Sequence, residues 1–247
     1  MRRVTLFVIL CSLAIPATAS SATQLFRDDF NTLSPNWIKR NSCPNDVTAK
    51  WWLCYNPKNV WVSGGKLYLQ HSEGTMGRPY DGSMVATYKH GWGWPATNVR
   101  RTWPAPVLIE ASIKFSGVDG FWQAFMAWST NLSEPYEFDI AELRGAEESL
   151  DFCAIHRDPM KIHMSRILSF SFANGFHRYW ARYQSGSVAF GIDDITCGSH
   201  SISGAGSVGI AFAATSADPT RFPWAGLGGP MKVSASYAVD WVEVSRP

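Results

Sequence analysis

Glu137-Phe138-Asp139-Ile140-Ala141-Glu142 sets three carboxylates into one short segment, and Tyr136 to Glu142 reads as a β-strand by its alternation of apolar and acidic residues. Glu137 and Asp139 share a face by the period of two. Glu142, an odd number of places on, would point the other way in a regular strand. A one-residue bulge near Ile140 or Ala141 would return it to the acid face and leave Phe138 and a hydrophobic neighbour facing a core. Carboxylates so crowded do not ionise alike, because repulsion raises at least one pKa, so one acid stays charged while another keeps its proton. Cleavage of a glycosidic bond through an oxocarbenium-like transition state needs that division, with a nucleophile on one side and a proton donor for the leaving oxygen on the other. Retention of configuration asks for carboxyl groups about 5–5.5 Å apart. A solvated acidic edge or a calcium site uses the same residue types, so the segment alone leaves those alternatives open.

The elements that would hold these acids are short strands. Period-two or β-branched and aromatic runs recur at Val60 to Val62, Lys66 to Gln70, Ser83 to Tyr88, Val107 to Phe115, Phe121 to Trp128, Ser187 to Ile192, Ser207 to Ala213 and Val239 to Val244. Turn signals separate them: Ser63-Gly64-Gly65, Asp81-Gly82, Asp119-Gly120, Ser185-Gly186 and Gly228-Gly229-Pro230. Regular spacing of this kind predicts an all-β fold, a two-sheet antiparallel β-sandwich. No long stretch has the 3.6-residue period of a capped helix. Asn41 to Asn59, Gly91 to Pro106, Arg157 to Ile167 and Ser216 to Gly229 read as irregular, and long loops on a rigid β scaffold often carry binding function.

Composition narrows the class. The 247 residues are 46% hydrophobic and 14% aromatic but only 17% charged, with 12 tryptophans, which excludes a disordered chain or a coiled coil. A net charge of +2, from 22 basic against 20 acidic residues, gives no electrostatic footprint for nucleic acid. Arg2 and Arg3, the apolar run Val4 to Ile15 and the small-x-small Ala17-Thr18-Ala19 form a secretory signal peptide over residues 1–19. Residues 20–247 then form a single domain. Cleavage removes two arginines and no acid, so the mature chain is formally neutral. Cys11 leaves with the leader, and Cys43, Cys54, Cys153 and Cys197 remain for the oxidising exterior. Of the three connectivities, Cys43–Cys54 and Cys153–Cys197 are favoured, one closing a short N-terminal loop and the other tying strands across the later half.

The acid segment resembles the Glu-x-Asp-x-x-Glu signature of glycoside hydrolase family 16, in the bulged form of its laminarinase-like and agarase-like members. The resemblance extends in order along most of the mature chain. Asp28-Asp29-Phe30 with Trp37 is similar to the opening strand, and Val60 to Leu69 to the hairpin after it. Ile109 to Lys114 and Gly120 to Phe125 resemble the strands before the signature. Phe152 to His156, Phe176 to Tyr179 with Ile192-Asp193, and Val239 to Val244 resemble the strands after the signature. One departure is plain: Trp122-Gln123-Ala124-Phe125-Met126 stands where many members have Trp-Pro-Ala-Phe-Trp.

The resemblance implies a concanavalin-like sandwich with a cleft across one sheet, and a secreted, monomeric, endo-acting retaining β-glycanase. Its polysaccharide partner would be a β-1,3- or mixed-linkage glucan; a galactan such as agar or carrageenan, or glycan binding without catalysis, are the alternatives. Glu137 would be the nucleophile and Glu142 the general acid/base. Asp139 would sit between them, and His156 beside the site near the acid/base. Sugar rings pack their C–H faces on aromatic planes, so Trp122, Trp92, Trp94, Trp103 and Trp224 are candidate platforms, with Arg78 and Arg100 as N–H donors to sugar hydroxyls or an anionic substituent. No cofactor is required. A structural calcium, as some members hold, would take the Asp240 carboxylate and a carbonyl at Gly65. Asn131-Leu132-Ser133 is a glycosylation sequon. No nucleic acid is expected as a partner, nor any membrane once the leader is removed.

Overall fold

The computed structural model describes residues 22–43, 53–76, 80–88, 99–131, 136–145, 150–157, 160–204, 206–216 and 234–247. The described strands are β1 (Thr23–Asp28), β2 (Ile38–Lys39), β3 (Leu53–Tyr55), β4 (Val60–Ser63), β5 (Lys66–Glu73), β6 (Tyr80–Ala86), β7 (Trp103–Pro104), β8 (Val107–Lys114) and β9 (Phe121–Ser129). The series continues with β10 (Glu137–Arg144), β11 (Leu150–Arg157), β12 (Met160–Ile167), β13 (His177–Gln184), β14 (Ser187–Ile192), β15 (Ile195–Ser201), β16 (Ser207–Ser216) and β17 (Ala235–Arg246). Among the described residues no helix is long and apolar enough to cross a membrane.

Pairing resolves these strands into two layers. The first runs β4-β5-β17-β8-β13-β14-β15, with β1 along the last part of β17. The second runs β2-β6-β16-β9-β10-β11-β12, with β7 beside β16. The chain passes between the layers where β5 meets β6 at Ser72 and Asp81. This is the two-sheet antiparallel β-sandwich that the strand pattern predicts.

Alternation makes the core. Val107, Ile109, Ala111 and Ile113 of β8, Phe121, Phe125 and Ala127 of β9, and Val208, Ile210, Phe212 and Ala214 of β16 all point between the sheets. Aromatic rings fill the gap: Phe125 and Phe212 stack at 4.8 Å, Trp37 adds its indole 5.7 Å from Phe212, and Phe115 meets Tyr179 edge-on at 5.0 Å. The β4–β5 turn needs glycine, since Gly64 and Gly65 have φ of 56° and 69°. Both disulfides join the expected partners. Cys153–Cys197 fastens β11 of the second sheet to β15 of the first, next to the acid strand.

Two expectations fail. Arg157 to Ile167 is no loop, because β12 pairs with β11 from Leu150–Ile167 to Arg157–Met160. Its apolar residues Ile162 and Met164 lie only at the core margin while His163 is exposed, so its alternation is weak in the sequence. Asp81-Gly82 lies inside β6 and not in a turn. Inside the strand the buried Asp81 carboxylate accepts three hydrogen bonds at Oδ2, from Asn56 Nδ2 at 2.9 Å and from the Thr75 backbone N–H at 3.0 Å and hydroxyl at 2.5 Å, while Oδ1 is buried without a partner among the described residues.

Phe212 is fully buried between Phe125 and Trp37, where no small neighbour can refill its volume. Phe212→Ala should cost about 3–5 kcal/mol, read as a lower urea midpoint at equilibrium.

Candidate active site

The expected bulge is present. On β10, Asp139 pairs with Ala154 and Glu142 with Phe152 of β11, so three steps along β10 oppose two on its neighbour. Against β9 the slip falls between Asp139, opposite Met126, and Ala141, opposite Phe125. Ile140 and Ala141 therefore both face the core, where they and Phe138 and Leu143 are buried. Glu137, Asp139 and Glu142 all lie on the outer face of the second sheet.

Neighbouring strands furnish that face. Trp128 stands opposite Glu137 on β9, and its indole N–H donates to Glu137 Oε1 at 2.8 Å. His156 stands opposite Glu137 on β11, but its Nε2 lies 3.0 Å from Asp139 Oδ2. Its close polar contact is thus with the middle acid, and a ring nitrogen also lies within 4.8 Å of a Glu142 carboxylate oxygen, beside the site as expected. On β12, His163 packs edge-on against His156 at 5.1 Å between ring centres. Beyond Trp128 the floor is apolar and low, made of Ala124, Met126, Ala211, Ala213, Met84 and Ala86 with Tyr55 and Tyr88 beside them. A Cβ on Gly209 would come within 2.2 Å of Tyr88 Cβ, so the close seat of that tyrosine on β16 requires glycine.

Tyr55 enters from β3, a short strand lying parallel to β6. The Cys43–Cys54 disulfide, the Ser42–Tyr55 bridge and the Asn56 N–H to the Gly82 carbonyl at 3.0 Å hold it there. The Arg40 guanidinium lies 4.2 Å over its ring. Burial pushes the Tyr55 hydroxyl up, Arg40 pulls it back, and the charge of Glu137 adds to the rise, which places the ring within electrostatic reach of that acid.

The three acids are sorted by their partners. Burial raises Glu137, but the Trp128 N–H and the His156 ring both favour its charged form. Asp139, 2% exposed, is held well above the usual carboxylate range by burial and then by Glu137. Glu142 is likewise held well up, by burial first and then by Asp139 and Glu137, with His156 and Arg144 opposing weakly. Of the three, Glu137 has the partners that most favour the charged form, whereas the surroundings of Glu142 favour the protonated one.

The other expected residues divide. Trp122 is half-buried and lies on the acid face of β9, level with Arg144. Trp103 is not a platform: it is 4% exposed, packs on Phe26 at 5.3 Å between the sheets and belongs to the core. Arg100 is exposed, its backbone N–H bound to the Thr87 carbonyl at 3.0 Å. Trp224, Arg78, Trp92 and Trp94 lie outside the described residues, as does the leader. Asn131 of the sequon donates its side-chain amide to the Gly204 carbonyl.

The calcium corner does not fit calcium. Lys66 Nζ sits 3.5 Å from Asp240 Oδ1 and 3.5 Å from the Gly64 carbonyl, so an ammonium already holds the carboxylate and the turn that a dication would have to join. Two such oxygens also fall short of the six to eight that calcium takes. Gly65 serves the turn through its positive φ. A cavity of about 430 Å³ lined by Arg27, Asp29, Asn36 and Arg101 opens beside β1 and shares no residue with the acid site.

Reading of the sequence missed Trp128, Tyr55 and the apolar floor. Trp128 had a usable signal, because Trp122, Ala124, Met126 and Trp128 have one parity along β9. Tyr55 had none, since its place depends on a disulfide-tied loop.

Fold and site together define a two-sheet β-sandwich with a triad of acids, the middle one buried, on the outer face of one sheet. The chain is similar in fold to an endo-β-1,3-glucanase from Pyrococcus furiosus, with TM-score 0.76, 17% identity and cover of 91% of this chain and 94% of that one. It is similar to the laminarinase catalytic domain from Thermotoga maritima, with TM-score 0.76, 14% identity and cover of 92% and 99%. A glycoside hydrolase family 16 endo-glucanase from Bacteroides ovatus superposes with TM-score 0.72 at 20% identity, over 89% and 99%. At these identities the likeness is one of fold. No protein-family model and no curated protein matches the chain.

The electrostatics of the triad predict two outcomes. Trp128→Phe removes the donor that favours charged Glu137, so its titration by carboxyl carbon NMR should move up by about one to two pH units, the equivalent of a hydrogen bond to a charged group. Glu142→Gln should melt higher than wild type at pH 7. A carboxyl raised in the fold costs stability once pH exceeds its unfolded value, because only the unfolded chain then releases the proton; the calorimetric difference should therefore close as pH falls to about 4.

Proposed function

We propose that the chain is a secreted, endo-acting, retaining β-glycanase of glycoside hydrolase family 16, acting on a β-1,3- or mixed-linkage glucan. The observation that carries this reading is the gathering of Glu137, Asp139 and Glu142 on one face of a bulged strand, where Trp128 and His156 relieve the upward push on Glu137 while burial and the other carboxyls hold Glu142 well up. In this mechanism Glu137 attacks the anomeric carbon while Glu142 gives its proton to the departing glycosidic oxygen. Water then opens the glycosyl ester, with Glu142 taking a proton from it as base and Glu137 leaving as carboxylate. Asp139 lies between them and is oriented by His156. Trp128 holds the nucleophile in its attacking rotamer.

The glucan assignment draws on the solved structures with which the fold is shared, whose names are those of β-1,3-glucanases, laminarinases and an endo-glucanase. The apolar floor of alanine and methionine beside Trp128, Trp122 and Tyr55 suits the C–H faces of uncharged sugars better than a sulfated chain. Secretion through residues 1–19, a catalytic domain over 20–247 and action as a monomer free of membrane belong to the same proposal.

Incubation with laminarin, lichenan, agarose and carrageenan should release reducing sugar from the first two. Glu137→Gln should lower kcat by at least about 10³-fold without loss of fold. Proton NMR should find the first product in the β configuration. Release from agarose or carrageenan alone would move the assignment to a galactan hydrolase, an inverted first product would remove Glu137 as nucleophile, and binding without turnover on the whole panel would leave a lectin-like protein.

A further inference from the structure

The outer face holds more nitrogen than two-carboxylate chemistry uses. A ring nitrogen of His156 and one carboxylate oxygen each from Asp139 and Glu142 all lie within 4.8 Å of one another. Ligands of a tetrahedral zinc ion, with bonds near 2.0–2.2 Å, stand about 3.3 Å apart. The Nε2 to Oδ2 distance of 3.0 Å is already near that spacing, and closing the rest needs side-chain rotation only, with no movement of strands. A second imidazole, His163, touches the ring of His156 from β12. It is one strand further out, opposite Ala154, which itself stands opposite Asp139, so His163 and that acid flank one small residue across three strands.

We propose that Asp139, Glu142 and His156, flanked by His163, bind a divalent late transition-metal ion of the zinc class, and that this ion is an inhibitor and not a cofactor. The ligand set decides the class. Calcium and magnesium take oxygen shells, whereas an imidazole with two carboxylates suits zinc, nickel or copper. Three acids crowded in a poorly solvated pocket further favour a dication, which offsets their mutual repulsion. The backbone supplies the preorganisation, because the bulge brings Glu142 to the face on which His156 meets Asp139. An ion there occupies the Glu142 oxygen that must carry the catalytic proton and takes the imidazole from Asp139. Inhibition, unlike binding, rests on the glucanase reading given above.

The test titrates the tag-free mature chain with zinc chloride by calorimetry and with cobalt(II), whose visible absorption reports a four-coordinate N/O site. One ion per chain is expected. His156→Gln should weaken binding by at least about 100-fold and His163→Ala by about 10-fold, the size typical for a supporting group, with circular dichroism confirming that each variant is folded. Calcium chloride should give no comparable heat. No binding to folded wild type, equal binding to His156→Gln, or equal affinity for calcium would each overturn the site. Laminarin hydrolysis should fall with zinc occupancy and return on adding EDTA, and His163→Ala, read against its own metal-free rate, should need about 10-fold more zinc for half-inhibition. Saturation without inhibition would overturn the inhibitory role. A chain that never hydrolyses laminarin would refute the glucanase reading and the inhibition built on it, while the zinc titration would still decide the metal site.

Discussion

Three carboxyl groups can share one side of a single strand only where the strand breaks its own alternation, and the rest of the site depends on that break. Ile140 and Ala141 turn consecutively into the core, so the strand keeps its apolar face while Glu142 returns to the side of Glu137 and Asp139. Without the slip, Glu142 would be driven between the sheets among Phe138, Phe125 and Phe212. Burying an unpaired carboxyl there costs several kcal/mol. The packed aromatic core therefore enforces the geometry as much as it stabilises the sandwich.

Burial raises all three acids, so burial alone cannot give them different roles. The distinction comes from what each one touches. Glu137 accepts an indole N–H and lies near an imidazole, while Glu142 sees mainly other carboxyls. These partners arrive from strands on both sides, β9 and β11, and from the disulfide-held β3. The site is thus less a property of β10 than of the register in which its neighbours meet it.

Charge is used sparingly elsewhere and is paired across strands. On the outer face of the first sheet Arg27 meets Glu243 at 2.9 Å, and Arg178 meets Glu110 at 2.9 Å, with the two glutamates opposite each other on β17 and β8. Lys66 closes the hairpin corner on Asp240 in the same way. Such pairs add little stability singly, but they keep like charges from facing one another unopposed on neighbouring strands. In the carboxyl cluster of the second sheet, an indole N–H and an imidazole take that part, and surroundings that favour the protonated form of Glu142 reduce the charge to be opposed.

The bulge was legible because acid parity along Glu137 to Glu142 conflicts with a regular strand, and a hydrophobic pair lies where the conflict must be resolved. Most strands were legible for the same reason, as a buried face imposes period two. β12 was hidden because only its margin is buried. Asp81-Gly82 misled because a buried hydrogen-bond network on Asp81 Oδ2, which no local sequence reports, holds the aspartate inside the strand. Trp103 and Trp128 are chemically alike, and composition could not assign one to the core and the other to Glu137. The sequence by itself determined the alternation, the acids and the need for a bulge, since these stem from covalent order and the two-residue period. Which tryptophan donates to Glu137, which acid His156 contacts and which cation occupies the corner at Asp240 were decided only by tertiary structure. Those contacts join residues distant along the chain, and their partners are set by strand register and packing.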